Sequence, residues 1–366
     1  MASSTSRRVV IAGGGTGGHL YPGVAVAREI VRRLPDAVVT FVGTAAGIES
    51  RIVPREGFPF VTIRSAGLKG RSRAALARGL ALLPASGLDA WRAVSRLRPD
   101  LVIGVGGFAS GPVVLVAALR GVATMVLEQN AMPGLTNRLL ARVVRAAAVT
   151  YDAALPHFRG RGFVSGNPVR PEFLAGLDRP TTEASDDLRR VLIVGGSQGA
   201  HAINLAMVAA APRLAAGGER LAITHQAGDR DLEIVREGYR RAGLEAQVEP
   251  FLYAMDREMT RADVVVCRAG ATTLAELAVI GRPAILIPLP TATDDHQRKN
   301  AEVLARAGAA ECLEERDLTG DHLAARLLAL LGDPARRAAM AEAARRLARP
   351  DAAAVIVDRA LALMER

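Results

Sequence analysis

Three glycine-rich stretches carry the first chemistry legible in the chain. They are Gly13-Gly14-Gly15-Thr16-Gly17-Gly18-His19, Gly104-Val105-Gly106-Gly107-Phe108-Ala109-Ser110-Gly111 and Gly195-Gly196-Ser197-Gln198-Gly199-Ala200. Glycine lets the backbone approach a ligand closely, and a helix that follows offers unpaired N–H groups and a positive dipole end to an anion. Each stretch follows a short β-branched run. Three such loops at the carboxyl ends of strands predict a polar cleft between two domains, with anion sites on both sides.

A fourth segment, Arg268-Ala269-Gly270-Ala271-Thr272-Thr273-Leu274-Ala275-Glu276, follows the apolar run at 264–267. Residues 270–273 would form a helix start suited to phosphate, and Glu276, about one turn further in, would suit the two hydroxyls of a ribose. A capping box of Thr272 or Thr273 with Glu276 accounts for the same residues, and the local pattern by itself favours it. In Asp294-Asp295-His296-Gln297-Arg298-Lys299-Asn300, amides share a helical turn and could bind sugar hydroxyls; an ordinary polar first turn is the alternative. Asp229-Arg230-Asp231 resembles a metal-binding DxD but has no second acidic cluster beside it in sequence, so no metal is expected. The first loop spells GxGxxG, yet Asp36 precedes the second strand instead of ending it, which argues against a dinucleotide.

The elements that must position these groups repeat along the chain. β-branched or aliphatic runs at 9–11, 38–42, 101–105 and 124–127 alternate with helical stretches, and a second series runs through 191–194, 221–224, 264–266 and 284–287. That alternation predicts α/β architecture: two Rossmann-like domains, each on a parallel sheet. A length of 366 residues, 50% hydrophobic and 23% charged, suits two domains of about 150 to 200 residues. Gly166-Asn167-Pro168-Val169-Arg170-Pro171 reads as the hinge, because its prolines fit neither helix interior nor sheet ladder. The expected domains are 1–167 and 168–350, with a terminal helix after Pro350, in 351–366, packing back on the first.

Composition removes several function classes. Cys267 and Cys312 form no CxxC or metal-ligand pattern, which excludes a disulfide scaffold or zinc module and fits a reducing cytoplasm. The longest apolar stretches, such as 113–119, fall far short of the roughly 20 residues of a membrane span, and residues 9–12 are too few for a signal peptide. Residues 1–167 hold 21 Lys+Arg against 8 Asp+Glu, whereas residues 168–366 hold 26 against 29. An arginine-rich genome explains Arg replacing Lys but not this asymmetry, which points the first domain toward an anionic partner. Aromatics make up only 4% and no RNP-type motif is present, which argues against nucleic acid.

Taken together, six ordered motifs resemble the MurG-type transferases of glycosyltransferase family 28. They are residues 14–19 with Tyr21-Pro22-Gly23, residues 106–112, Glu128-Gln129-Asn130, residues 166–170, residues 195–200 and residues 268–276, and the likeness covers nearly the whole chain. The resemblance implies a GT-B fold and transfer of N-acetylglucosamine from UDP-GlcNAc to undecaprenyl-pyrophosphoryl-MurNAc-pentapeptide, converting lipid I to lipid II. It implies neither cofactor nor metal. Another UDP-GlcNAc enzyme of the GT-B class, an epimerase or a soluble-acceptor transferase, is the alternative.

Carried over residue by residue, the resemblance places Ser197, Gln198, Ala271, Thr272, Thr273 and Leu274 by the donor diphosphate, Leu252 by the uracil and Glu276 on the ribose. Gln297 and Asn300 would read the GlcNAc hydroxyls. Thr16, Gly17, Gly18, Asn130 and Arg170 would be further donor contacts, and Gly14, Gly15, Gly106, Gly107 and Ser110 would meet the acceptor. His19 is the candidate general base, with Glu128 as fallback. Two departures matter: Leu127 stands where the family often has His, and Tyr253-Ala254 replaces an acidic pair before Met255. The basic first domain, with Leu68-Lys69-Gly70-Arg71-Ser72-Arg73 and the apolar Leu80, Leu82, Leu83, Leu88 and Trp91, is expected to rest on an anionic phospholipid surface. That would make the protein peripheral to the cytoplasmic face of the plasma membrane.

Overall fold

The computed structural model describes residues 6–65, 73–175, 188–196 and 198–365. The chain divides into two compact units: residues 1–170 with 349–366, and residues 171–348.

Unit 1 alternates strand and helix: β1 (Arg8–Gly13), α1 (Gly17–Arg33), β2 (Val38–Gly43), α2 (Glu49–Arg55), β3 (Phe60–Thr62) and α3 (Arg73–Leu97). It continues through β4 (Leu101–Gly106), α4 (Ser110–Leu119), β5 (Ala123–Glu128), α5 (Leu135–Leu140), β6 (Ala146–Val149) and β7 (Gly162–Val164). The seven strands form one parallel sheet in the order β3-β2-β1-β4-β5-β6-β7. Every residue of β4 and β5 is buried, which is why these strands read as unbroken apolar runs instead of alternating ones.

Unit 2 begins with α6 (Pro171–Leu174) and β8 (Leu188–Val194), then α7 (His201–Ala215), β9 (Arg220–Gln226), α8 (Leu232–Arg241), β10 (Ala246–Glu249), α9 (Met255–Arg261) and β11 (Val264–Cys267). It closes with α10 (Ala271–Ile280), β12 (Ala284–Leu286), α11 (His296–Arg306), β13 (Ala310–Cys312), α12 (Gly320–Leu331) and α13 (Pro334–Leu347). Its six strands are also parallel, in the order β10-β9-β8-β11-β12-β13. The last helix, α14 (Ala352–Met364), lies on α1 of unit 1.

Side chains alternate across each sheet. In unit 1, Val9, Ile11, Ile103 and Met125 pack with Leu20 and Ile30 of α1 and with Ile356, Val357 and Leu363 of α14. Val10, Val102 and Val126 point the other way, onto Val94, Val113 and Val114. In unit 2, Val191, Ile193, Ile223 and Val264 meet Ile203, Met207, Leu327 and Leu331. Each such side chain contributes about 1.5–3 kcal/mol of burial, so the sheets are rigid platforms for the loops at their ends.

Both sheets reverse direction once. In unit 1 the chain steps outward from β1 to β3 and then crosses to β4 on the other side of β1; unit 2 repeats this with β8, β10 and β11. At such a switch point the loops leaving the two central strands diverge, which opens a crevice at their carboxyl ends. The four glycine segments singled out in the sequence are these four loops.

Candidate functional site

In unit 2, the loop after β8 is built by backbone interlocking. Gly199 has φ +73°, and a Cβ there would stand 1.9 Å from the carbonyl oxygen of Ala227. A Cβ on Gly228 would stand 2.3 Å from the carbonyl oxygen of Gln198. No side chain larger than hydrogen fits either place, so the loop after β8 and the loop after β9 lie backbone on backbone. Helix α7 then starts at His201 with Ala200 as its N-cap, and no acidic residue lies in its first turn.

The neighbouring loop, after β11, has the same character. Helix α10 starts at Ala271 behind Gly270, without a side-chain cap and without an acid in its first turn. The capping box is therefore absent: Thr272 and Thr273 are second and third helical residues, and Glu276 lies in the second turn, 3% exposed. Two helix starts with no acidic residue in their own first turns, at the carboxyl ends of adjacent strands, present N–H groups that suit an anion.

Buried polar groups hold these loops. Asn300 donates to the carbonyl oxygen of Ala269 at 3.3 Å, and Gln297 accepts from the N–H of Leu289 at 3.0 Å. Arg268 donates to the carbonyl oxygens of Ile287 and Pro288 and pairs with Glu315 at 2.6 Å. Gln226, at the end of β9, donates to the carbonyl oxygen of Gly196 at 2.7 Å and accepts from the N–H of Leu252 at 2.9 Å. Ser197 lies outside the described residues.

Asp231 is engaged in the same unit. Its carboxylate meets His201 Nδ1 at 3.0 Å and accepts from Asn204 at 2.9 Å; Asn204 in turn meets His225, whose other ring nitrogen meets Tyr239. Burial pushes the His225 imidazole down to about 3, so it sits there neutral. Cys267, also buried, has its thiol pushed up to about 12 and is held as an unreactive core residue. Among the described residues no group of three or more His, Cys, Asp and Glu could hold a metal ion.

In unit 1 the loops after β1 and β4 are pressed together. The N–H of Gly14 donates to the carbonyl oxygen of Gly106 at 3.1 Å, and a Cβ on Gly107 would stand 2.3 Å from the carbonyl oxygen of Gly14. Helix α1 begins at Gly17 behind Thr16, so Gly17, Gly18 and His19 lie in its first turn and not in a longer loop. The His19 ring covers Gly106, with Nδ1 3.3 Å from Thr16 Oγ1. Helix α4 starts at Ser110, whose hydroxyl is buried against Gly104 without a hydrogen-bond partner among the described residues. A buried unpaired hydroxyl costs on the order of 1–3 kcal/mol.

Two carboxylates organise this end of the sheet. Glu49, 1% exposed, accepts from the N–H of Gly15 at 2.7 Å, the N–H of Thr44 at 2.9 Å and the Thr44 hydroxyl at 3.0 Å. Nothing in the sequence marked Glu49, whose partner Gly15 is 34 residues away. Glu128 accepts from the N–H and side chain of Asn130, the N–H of Gly134 and the side chain of Asn137, at 2.9–3.2 Å. Burial raises its pKa, and these donors oppose the rise. Arg170 stacks its guanidinium over Tyr21 at 5.4 Å. The site residues expected from the sequence thus gather in two sets. Thr16, Gly17, Gly18, His19, Glu128, Asn130 and Arg170 lie with Gly14, Gly15, Gly106, Gly107 and Ser110 in unit 1, and the others lie in unit 2.

An exposed apolar group lies elsewhere on unit 1. Leu83, Leu88 and Trp91 of α3 and Leu115 and Leu119 of α4 are exposed, Leu119 at 74%, with Arg120 stacked over Trp91 at 4.8 Å. Residues 66–72 lie outside the described residues. No described helix is long and apolar enough to cross a membrane.

Comparisons with known proteins cover both units. The glycosyltransferase family 28 N-terminal domain matches residues 9–149, and the glycosyltransferase family 28 C-terminal domain matches residues 190–356. The chain is 50% identical over 360 residues to the UDP-N-acetylglucosamine–N-acetylmuramyl-(pentapeptide) pyrophosphoryl-undecaprenol N-acetylglucosamine transferase of Anaeromyxobacter sp. (strain K), covering 98% of this chain and 94% of that protein. A protein of the same name from Pelobacter propionicus is 46% identical, covering 97% and 99%. The crystal structure of Acinetobacter baumannii MurG superposes with a TM-score of 0.80 at 32% identity, covering 96% of this chain and 98% of that one.

Proposed function

The chain belongs to glycosyltransferase family 28, and from that membership we infer that it moves N-acetylglucosamine from UDP-GlcNAc to the 4-hydroxyl of MurNAc in undecaprenyl-pyrophosphoryl-MurNAc-pentapeptide. Its two parallel-sheet units are those of the GT-B fold. The observation that carries the activity is 50% identity to a transferase of that specificity over 98% of the chain.

The donor is assigned to unit 2 and the acceptor to unit 1. The starts of α7 and α10 receive the diphosphate, Glu276 the ribose, and Leu252 the uracil. Asn300 and Gln297 are already bonded to backbone at Ala269 and Leu289, so their contribution to the sugar pocket includes shaping it. Donor α-linkage and product β-1,4-linkage call for one in-line displacement, which leaves two tasks: taking the hydroxyl proton and stabilising departing UDP. Helix termini and Arg170 serve the second. We assign the first to His19, because both Glu128 oxygens already order the turn that carries Asn130. The Asp231 carboxylate is occupied by His201 and Asn204, so activity is expected to persist in excess EDTA.

The apolar group of α3 and α4, edged by Arg120, is assigned to the cytoplasmic leaflet. Salt-sensitive cosedimentation with phosphatidylglycerol vesicles, weakened by Leu119→Glu, supports this, and equal binding to neutral vesicles contradicts it. For the activity itself, the protein is incubated with labelled UDP-GlcNAc and a lipid I analogue. A labelled disaccharide-lipid and UDP are expected; hydrolysis or epimerisation of the donor without a disaccharide product overturns the assignment.

A further inference from the structure

We propose that Gln226 is a positioning residue that ties the base-reading loop to the diphosphate loop, and so sets both the affinity for uridine diphosphate and the preference for uracil. The proposal rests on the donor-site assignment above. Gln226 closes β9, which lies between β8 and β10 in the sheet, and its side chain is 2% exposed. Nε2 donates to the carbonyl oxygen of Gly196 in the loop after β8, at 2.7 Å. Oε1 accepts from the N–H of Leu252 in the loop after β10, at 2.9 Å.

One amide therefore joins the loop after β8 to the loop after β10, the two loops that flank its own strand. The residue type is constrained. An amide puts a donor and an acceptor on two separate atoms at the end of an uncharged side chain; a carboxylate cannot donate, and its charge would oppose the diphosphate. The carbonyl of Gly196 also accepts from the N–H of Gly199 at 2.9 Å, so Gln226 completes a two-donor anchor on it. At Leu252 the consequence is specificity. Its N–H is committed to Gln226, and the backbone group that remains to meet a base is its carbonyl, an acceptor. An acceptor matches the N3–H of uracil and opposes the N3 lone pair of cytosine.

The test measures dissociation constants of UDP and CDP for the full chain, as wild type, Gln226→Met and Gln226→Glu, with a thermal melt for each. Gln226→Met is expected to weaken UDP about tenfold and CDP by less, compressing the preference for UDP, while KM for UDP-GlcNAc rises more than kcat falls. Gln226→Glu keeps the acceptor for Leu252 but sets an oxygen against the carbonyl of Gly196, and is expected to weaken UDP further. A wild type that binds no UDP removes the donor assignment and this proposal with it. If wild type binds UDP, the proposal alone is overturned when Gln226→Met binds UDP within about twofold of wild type, or when UDP and CDP weaken by one common factor. If both variants unfold, Gln226 is a stability element of the sheet and the positioning role is likewise overturned.

Discussion

The two units share a strand order and carry glycine loops at the same switch point, yet the groups that bond directly to those loops differ. In unit 1 a buried carboxylate, Glu49, takes the N–H of Gly15, and a second, Glu128, orders the turn around Asn130. In unit 2 neutral amides act beside the Arg268–Glu315 pair and the Asp231 carboxylate: Gln226 under Gly196 and Leu252, and Asn300 under Ala269. A carboxylate about 5 Å from a phosphate costs roughly 3 kcal/mol at an effective dielectric of 20, whereas an amide leaves the field of the helix start intact. On the proposed assignment of the donor diphosphate to unit 2, the difference is how a unit with excess Arg leaves that group to its less basic partner. Net charge acts on surfaces and encounter; the brace beneath a loop decides what the loop holds.

Substitutions at the glycines should break the comparison most severely. Gly199→Val in unit 2 sets a side chain into the Ala227 carbonyl, and is expected to destabilise that unit by about 3–5 kcal/mol and abolish UDP binding. Gly15→Ala in unit 1 meets open space and carries only the strain of a positive φ, a cost of about 1–2 kcal/mol. Calorimetry with UDP titration separates them. Equal effects at both positions would mean that the close approach of Gly199 to the Ala227 carbonyl is not what requires a glycine there.

Next in size is Glu49→Gln. An amide oxygen replaces a carboxylate that receives three hydrogen bonds, so unit 1 should lose about 2–3 kcal/mol while UDP affinity stays within twofold. Urea unfolding and UDP titration check both halves of that expectation. A fall in UDP affinity as large as the fall in stability would place Glu49 in the donor site.

Acid should separate the units more gently. His225 is held neutral, down to about 3 against an ordinary value near 6.5, so between those limits the unfolded chain binds more protons than the folded one. The stability it supports is therefore complete above about pH 6.5 and declines as pH falls toward 3, by about 2 kcal/mol at pH 5. Glu128 in unit 1 has a raised pKa, and its contribution runs the other way, growing as pH falls through that value. Hydrogen exchange at pH 7 and 5 should show unit 2 loosening first, and His225→Gln should flatten its pH dependence; acid loosening of unit 1 ahead of unit 2 would contradict it.

The Val- and Ile-rich strands were legible because burial on both faces favours apolar β-branched runs: those at 9–11, 101–105, 191–194 and 264–266 lie within β1, β4, β8 and β11. The strands of other composition were not. β6 is Ala-Ala-Ala-Val and β7 is Gly-Phe-Val, compositions with little strand preference, held by neighbours in the sheet instead. At the site, glycines and helix starts were visible because they are local devices. Glu49 and Gln226 were invisible because a polar residue near a strand or helix end looks the same whether it faces water or braces a loop about 30 residues away. The capping box failed for a related reason: the helix begins at Ala271 behind Gly270, two residues too early for Thr272 to cap it.

The central claim, that the amide-braced unit takes the donor diphosphate, is tested most directly by amide hydrogen exchange of the full chain with and without UDP. The account predicts new protection at 198–203, 251–253 and 270–276 in unit 2, with the Glu49-braced backbone at 13–15 unchanged. Protection centred on 13–15, with 198–203 and 270–276 exchanging as before, would contradict it.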